Sequence, residues 1–271
     1  MQYLGRSTLT GKSTTTLRQG GTRTLDNKQS EVYSYLYSGV LKSKDYQDLP
    51  YGIRRDYSDY YDKEDLYSYV GEESGNTNTV IATMKSRNML ASLLTAETFT
   101  FIPNMVRLTG SKIDYGDFNG SILPSMIYES NGDLYEQSIE VKSYDSHGNP
   151  TEILDKKTGI YSVFLWDTYD RYLIAMIKDA RLSQIPNITQ LRAATSQVRR
   201  SMLLTTFPNA LIQTWNYLPL VGVSSHTDVN GQTFLYEYDG LGRLKSEKRV
   251  VNGVQAPEIL HRYEYNYMNQ Q

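Results

Sequence analysis

Any chemistry in this chain has to come from a short set of residues. His226 and Asp228 lie close enough in sequence to suggest the base and orienting acid of a Ser-His-Asp hydrolase, and Asp167 with Asp170 could supply the carboxylate pair of a glycosidase. Neither pair keeps that reading in context. His226 and Asp228 flank an expected turn, nothing resembles a nucleophile elbow, and both Asp167 and Asp170 fall in a turn frame that recurs along the chain. His147 reads as the centre of a turn and His261 as a residue beside a strand, each an exposed polar group rather than a ligand. The absence of cysteine excludes disulfides, thiolate metal sites and a cysteine nucleophile, and three histidines leave little for zinc. The run Gly5-Arg6-Ser7-Thr8-Leu9-Thr10-Gly11-Lys12-Ser13 approaches a phosphate-binding loop but puts five residues between its glycines where that loop has four, with no room upstream for the strand that must feed it. The expectation is a non-enzymatic chain with no catalytic residue, cofactor or metal.

Composition narrows the field without choosing. A chain of 271 residues can bury a sizeable core as one large β domain or as a domain with an extension. With 28 basic and 30 acidic residues, a formal charge of -2 gathers neither nucleic acid nor an anionic membrane. No apolar core of secretory length follows Met1, so no signal peptide is read, and no run is long enough to span a membrane. The 24 tyrosines against 6 phenylalanines and 2 tryptophans suit sheets with one wet face, because tyrosine combines strand-compatible bulk with a hydroxyl that can meet water.

The elements that would carry these residues read mainly as strands. Residues 1 to 79 form a Tyr-rich polar N-terminal region of short strands and loops, partly disordered on one reading, with Glu31 to Tyr37 alternating as a strand and Gly71 to Thr79 a loop and boundary. Its tyrosines read either as half-buried strand faces or as a surface for stacking on sugar rings. From residue 80 to 271 the expectation is one β domain. Val80 to Met84 and Thr98 to Leu108 look extended, and Pro124 implies an edge or a bulge. Ile160 to Trp166 and Tyr172 to Ile177 read as strands covered on both faces. A helical insertion over 187–206 interrupts the pattern. Asn187 is its expected cap, and Ile188, Leu191, Ala194, Val198 and Met202 mark the apolar stripe of a single amphipathic helix near 188–205, with Arg192, Arg199 and Arg200 off it.

Tetrads of the form acid, any, any, Gly punctuate the strands: Asp117 to Gly120, Glu129 to Gly132, Asp145 to Gly148, Asp228 to Gly231 and Asp239 to Gly242. Lys156 to Gly159, Asp167 to Asp170 and Val250 to Gly253 read as weaker copies. First positions 145, 156 and 167 are eleven apart, as are 228, 239 and 250, a spacing of one strand and one tight turn. Phe234 to Lys245 states a whole hairpin. Tyr236 and Tyr238 alternate, Asp239 begins the turn, Gly242 supplies positive φ, Asp239 lies across from Arg243, and Tyr238 shares a face with Leu244. His261 to Tyr267 reads as a further strand with an unpaired edge.

Tyr236-Glu237-Tyr238-Asp239 with Gly242-Arg243-Leu244, preceded by Thr227-Asp228 and Gly231, resembles the YD repeat of bacterial RHS proteins. Tyr144-Asp145-Ser146-His147-Gly148-Asn149 is similar to a second copy, and Trp166-Asp167 with Asp170-Arg171-Tyr172-Leu173 to a degenerate third; the resemblance covers about 115 to 271. It implies antiparallel hairpin repeats forming a curled sheet in a large cell-surface or secreted chain, and in many members a shell around a C-terminal toxin. Neither an Asp-Pro-rich release motif nor a toxin domain follows the last repeat here, so the expectation is a structural module of a larger surface protein rather than a toxin-delivery shell fragment. Its partners would be further repeats of the parent chain or another protein. The alternative is an adhesion module that binds glycan or protein through exposed tyrosines.

Overall fold

The computed structural model describes residues 11–16, 27–35, 41–48, 52–60, 78–89, 92–100, 106–132, 134–251 and 256–265. The chain is mainly β and antiparallel, and it divides into two compact units, 1–140 and 141–271. Of the expected boundary loop, residues 71–77 lie outside the described part. Among the described residues no helix is long and apolar enough to cross a membrane.

In the first unit each strand pairs antiparallel with the next in sequence: β1 (Gly11–Thr16), β2 (Asn27–Tyr35), β3 (Leu41–Asp48), β4 (Gly52–Tyr60), β5 (Leu93–Thr100), β6 (Val106–Phe118), β7 (Ser121–Ser130) and the first half of β8 (Tyr135–Tyr144). Gly11, Lys12 and Ser13 lie in a strand, where no phosphate loop can form. Two expectations are corrected here. Val80 to Met84 is helical, within α1 (Asn78–Ser86): Val80 and Met84, one turn apart, are buried together with Ile122, and Ile81 and Leu94 pack against them. The four-residue spacing of Val80 and Met84 puts both on one face of the helix. Thr98 to Leu108 is not one extended run, since β5 ends at Thr100 and β6 begins at Val106. Pro124 sits inside β7 opposite a register shift at Asp114/Tyr115, the bulge that a missing N–H demands.

This unit buries charge as well as carbon. Glu97 is 5% exposed; the Tyr135 hydroxyl donates to its Oε1 at 2.6 Å, and Arg107 forms an ion pair with it, Nε to Oε1 2.8 Å. Tyr135 reaches it by crossing Gly110, where a Cβ would stand 2.8 Å from the phenol oxygen. Asp114, also buried, accepts from Tyr128 at 2.9 Å, and Lys112 lies over the Tyr128 ring. Satisfied in this way, buried carboxylates fix strand register at little net cost.

The second unit continues with β9 (Pro150–Asp155), β10 (Tyr161–Trp166), β11 (Leu173–Lys178), β12 (Leu211–Leu218), β13 (Gly222–Thr227), β14 (Thr233–Tyr238), β15 (Leu244–Arg249) and β16 (Glu258–Arg262), again each paired with its sequence neighbour. β16 is the expected strand before the C-terminus, shifted toward the N-terminus, and among the described residues it pairs with β15 alone. Residues 266–271 lie outside the described part. The core gathers alternate residues of the central strands, Val163, Leu165, Ala175, Ile177 and Ile212, under Leu191 and Leu203. Intervening positions such as Phe164 and Met176 are half-buried, so these apolar strands have one dry face and one partly wet face.

The insertion is two helices, α2 (Ile188–Ala193) and α3 (Ser196–Thr206), rather than the expected one. Ala194 turns extended, and Thr195 caps α3 by accepting from Val198 N–H; Asn187 is left-handed and makes no side-chain cap. That break resets the helical phase. The buried face of α3 is therefore Ser196, Arg199 and Leu203, while Val198, expected inside, is 53% exposed. Arg199 is only 3% exposed and donates to three carbonyls, those of Leu191 (2.9 Å), Ile174 (3.2 Å) and Ala194 (2.7 Å). Arg200 donates to the carbonyls of Ile212 and Val229. Burial pulls both guanidinium pKa values down; for Arg200 the charge of Asp228 opposes it. One side chain thus ties α2, α3 and β11 together.

Replacing Arg199 by Ala strands three carbonyls that it now satisfies. Urea unfolding should show a loss of about 3 kcal/mol for Arg199→Ala and about 1 kcal/mol for the half-buried Arg200→Ala. Equal losses would mean that Arg199 is not the tie between helix and sheet.

Candidate functional site

The residues singled out by sequence do not gather into one site; they sit at hairpin tips, of which the Asp145 and Asp167 tips touch where His147 and Asn149 meet Asp170, and Asp145, Asp228 and Asp239 share one bonding scheme. The Asp239 N–H donates to Arg243 O and the Asp239 carbonyl accepts from Gly242 N–H at 3.0 Å, which closes a three-residue loop. Its Oδ1 accepts from the N–H groups of Leu241 (2.9 Å) and Arg243 (3.0 Å). Asp145 repeats this with His147 and Asn149 (both 2.9 Å), and Asp228 with Asn230 (3.0 Å) and Gln232 (2.8 Å). In each the glycine three residues on has positive φ: Gly148 83°, Gly231 83°, Gly242 75°. A carboxylate is chosen because one oxygen must hold two N–H groups that no strand partner reaches.

The second oxygen is used differently from turn to turn. Asn149 Nδ2 donates to Asp145 Oδ2 at 2.9 Å, and Arg243 Nε to Asp239 Oδ2 at 2.8 Å, whereas Gln232 reaches away to the Val250 carbonyl. The Arg243 side chain first, then its backbone N–H, holds the Asp239 carboxyl below its ordinary range. Tyr238 pairs with Leu244 and Tyr236 with Glu247, and the Tyr238 hydroxyl donates to Val223 O at 2.8 Å. Tyr144 ends β8 before the Asp145 turn, and Trp166, at the end of β10, donates Nε1–H to Pro150 O.

Other expected tetrads differ. Between β9 and β10 the turn acid is Asp155, not Lys156: its Oδ1 accepts from Lys157 and Thr158 N–H, and Gly159 N–H donates to its carbonyl. The acids are therefore 145, 155 and 167, so the strict eleven-residue step fails in that block because the Asp155 loop is one residue longer. The Asp167 loop is also longer, with Oδ1 accepting from Arg171 and Tyr172 N–H and Asp170 left-handed at φ 54°. Asp117 and Glu129 lie inside β6 and β7. The β6–β7 turn is Asn119-Gly120, both at positive φ, with Gly120 N–H donating to Asp117 Oδ1. The Val250 tetrad extends beyond the described residues.

The pairs with catalytic spacing are engaged with other partners. Asp228 serves its turn while His226 faces Gln213, Nε2 to Oε1 3.1 Å, and stacks on Trp215 at 5.0 Å. Asp167 binds backbone, while Asp170 pairs with Arg192 (3.0 Å) and His147 (3.2 Å). His147 is exposed at its turn and His261 is exposed on β16.

One feature escaped sequence reasoning. A cleft of ≈ 450 Å³ opens beside the Asp167 turn, walled by Tyr169, Arg171, Tyr172, Trp215 and Tyr217, with Arg199 among its lining residues. Tyr172 and Tyr217 stack at 4.6 Å with planes 23° apart. Burial raises the Tyr217 phenol pKa, with Asp167 and Tyr172 adding to the rise. At its mouth the Leu218–Val221 turn carries Leu220, 99% exposed at φ 62°. The Tyr217 hydroxyl donates to the carbonyl of Leu173, 44 residues earlier, so it is the pairing of β11 with β12 that brings the two tyrosines together.

No family model matches the chain, and no curated protein matches it. Solved structures do. The crystal structure of TcdB2-TccC3-Cdc42 aligns with 86% of this chain and 11% of that chain at 10% identity and a TM-score of 0.38, and that of TcdB2-TccC3 without its hypervariable C-terminal region gives the same values. TcdB2-TccC3 alone aligns at 11% identity and a TM-score of 0.35, over 86% of this chain and 12% of that one.

Gly242 has open space, the nearest atom to a Cβ being Val221 Cγ1 at 3.9 Å, so Gly242→Val meets only the left-handed backbone. Thermal unfolding should register a loss of about 1–3 kcal/mol; an unchanged midpoint would show that the turn does not need its glycine.

Burial holds the His226 pKa below its ordinary value, with Asp228 opposing more weakly. A depressed folded pKa gives stability that is present above the unfolded value, about 6.5, and lost as pH falls through the folded one. The Asp239 contribution is lost lower, as pH falls below the ordinary 3.8 through its depressed folded value. Melting temperature against pH should therefore fall in two stages; His226→Gln should flatten the upper stage alone and Asp239→Asn reduce the lower.

Proposed function

We propose that this chain is a non-enzymatic structural repeat module of the RHS/YD type, part of a larger bacterial cell-surface or secreted protein. One observation carries the reading: Asp145, Asp228 and Asp239 each place one carboxylate oxygen on the N–H groups two and four residues on, closing the same three-residue loop at three places. A repeated bond set with invariant backbone and variable side chains is the product of a stacking unit, and a reaction centre would instead gather its acids. The motifs at Asp145, Asp228 and Asp239 that resemble the YD repeat make this bond set, and the degenerate copy at Asp167 makes a longer variant of it.

A second reading, an adhesion module binding glycan or protein, is favoured by the stacked tyrosine pair lining the cleft. It concerns one patch of the module and is compatible with the first.

In a stacked array each unit is stabilised chiefly by its neighbours. Joining one further strand, Asp turn and strand after Gln271 should raise the thermal midpoint and slow amide exchange over residues 258–262. Exchange there that stays as fast as in the parent would sink the module reading.

A further inference from the structure

We propose that the cleft beside the Asp167 turn binds a carboxylated pyranose, a uronic-acid residue within an oligosaccharide. The inference deepens the second reading above and rests on it.

Charge supplies the first part of the argument. The ionisable groups lining the cleft other than tyrosine are Asp167, Arg171 and Arg199, two cations to one anion. The anion is already engaged, since Asp167 Oδ1 accepts from the backbone N–H groups of Arg171 and Tyr172 at 2.7 and 3.2 Å. Arg199 is satisfied by three carbonyls, which quench its hydrogen-bonding but not its charge, and among the described residues it has no carboxylate partner. A cation buried to 3% exposure without a counter-ion leaves a positive field on its walls. Arg171 at the mouth is exposed, its guanidinium 5.5 Å from the centre of the Tyr169 ring and likewise without an ion pair among the described residues. The cleft therefore complements an anion, and Arg171 is the group free to meet a carboxylate by paired N–H donation.

The walls specify what should carry that carboxylate. Tyr172 and Tyr217, packed face to face, form a rigid aromatic wall, and Tyr169, 69% exposed, supplies a ring at the entrance. Flat aromatic faces accept the C–H face of a pyranose while its rim of hydroxyls stays wet. An acidic peptide would present the same charge without that ring face, and the half-open shape accommodates a sugar within a chain as well as one at its end.

The test is calorimetric titration at pH 7 of the full chain with tetragalacturonate, and with the same oligosaccharide methyl-esterified, which keeps the rings and removes the charge. The expected result is saturable binding of the free acid, weakened at least about tenfold by esterification, by Arg171→Gln and by Tyr169→Ala, and weakened by raising the salt. Both variants alter exposed side chains, and their melting temperatures should match the parent. Equal binding of both oligosaccharides would overturn carboxylate recognition and leave the sugar-binding reading standing. No binding of either would remove both readings. Binding of polyglutamate as tight as that of tetragalacturonate, or binding unchanged in Tyr169→Ala, would also overturn the proposal.

Discussion

One carboxylate oxygen accepting two turn amides is the constraint on which the hairpins of the second unit depend. A three-residue loop leaves N–H groups that neither flanking strand can satisfy, and an unpaired amide there costs on the order of a kilocalorie or more. Asp145, Asp228 and Asp239 solve this identically, and each solution fixes where the next strand begins. Because a one-residue slip would reverse every side chain, the longer Asp155 and Asp167 turns at the two ends of β10 keep Val163, Leu165, Ala175 and Ile177 on the dry face.

The helical insertion is held by the complementary device. Where the turns bring a carboxylate to backbone donors, Arg199 brings a guanidinium to backbone acceptors at the end of α2, beside α3 and on β11. The cost of burying that charge is offset only while all three carbonyls are in place, which makes the helix pair and the central strands one cooperative piece. The same side chain leaves its charge at the aromatic cleft, so the element that closes the core also sets the polarity of that recess.

Much of the hairpin geometry was legible because its determinants are local. Asp239, Gly242 and the pairing of Tyr238 with Leu244 follow from residues within seven positions of one another. Where the reading slipped, the local signal was ambiguous. Lys156 fits the tetrad because it stands three before Gly159, although Asp155, four before it, carries the acceptor that the loop uses. Val80 and Met84 suit either a strand or a helical turn until Ile122 and Leu94 provide the surface that α1 covers. The periodicity drawn through 188–205 assumed one unbroken helix, and the break at the extended Ala194 turned Val198 outward while Met202 still packs against the core.

By itself, the sequence determined the class of fold, the turn positions that carry Asp and Gly, and the lack of thiol chemistry, since each depends on residue type or on bonds spanning a few residues. Tertiary structure alone decided the buried network of Glu97, Arg107 and Tyr135, the inward turn of Arg199, and the meeting of Tyr172 with Tyr217. Those contacts join residues that strand pairing makes neighbours, and burial gives a charge or a ring a role that its type and spacing along the chain do not announce.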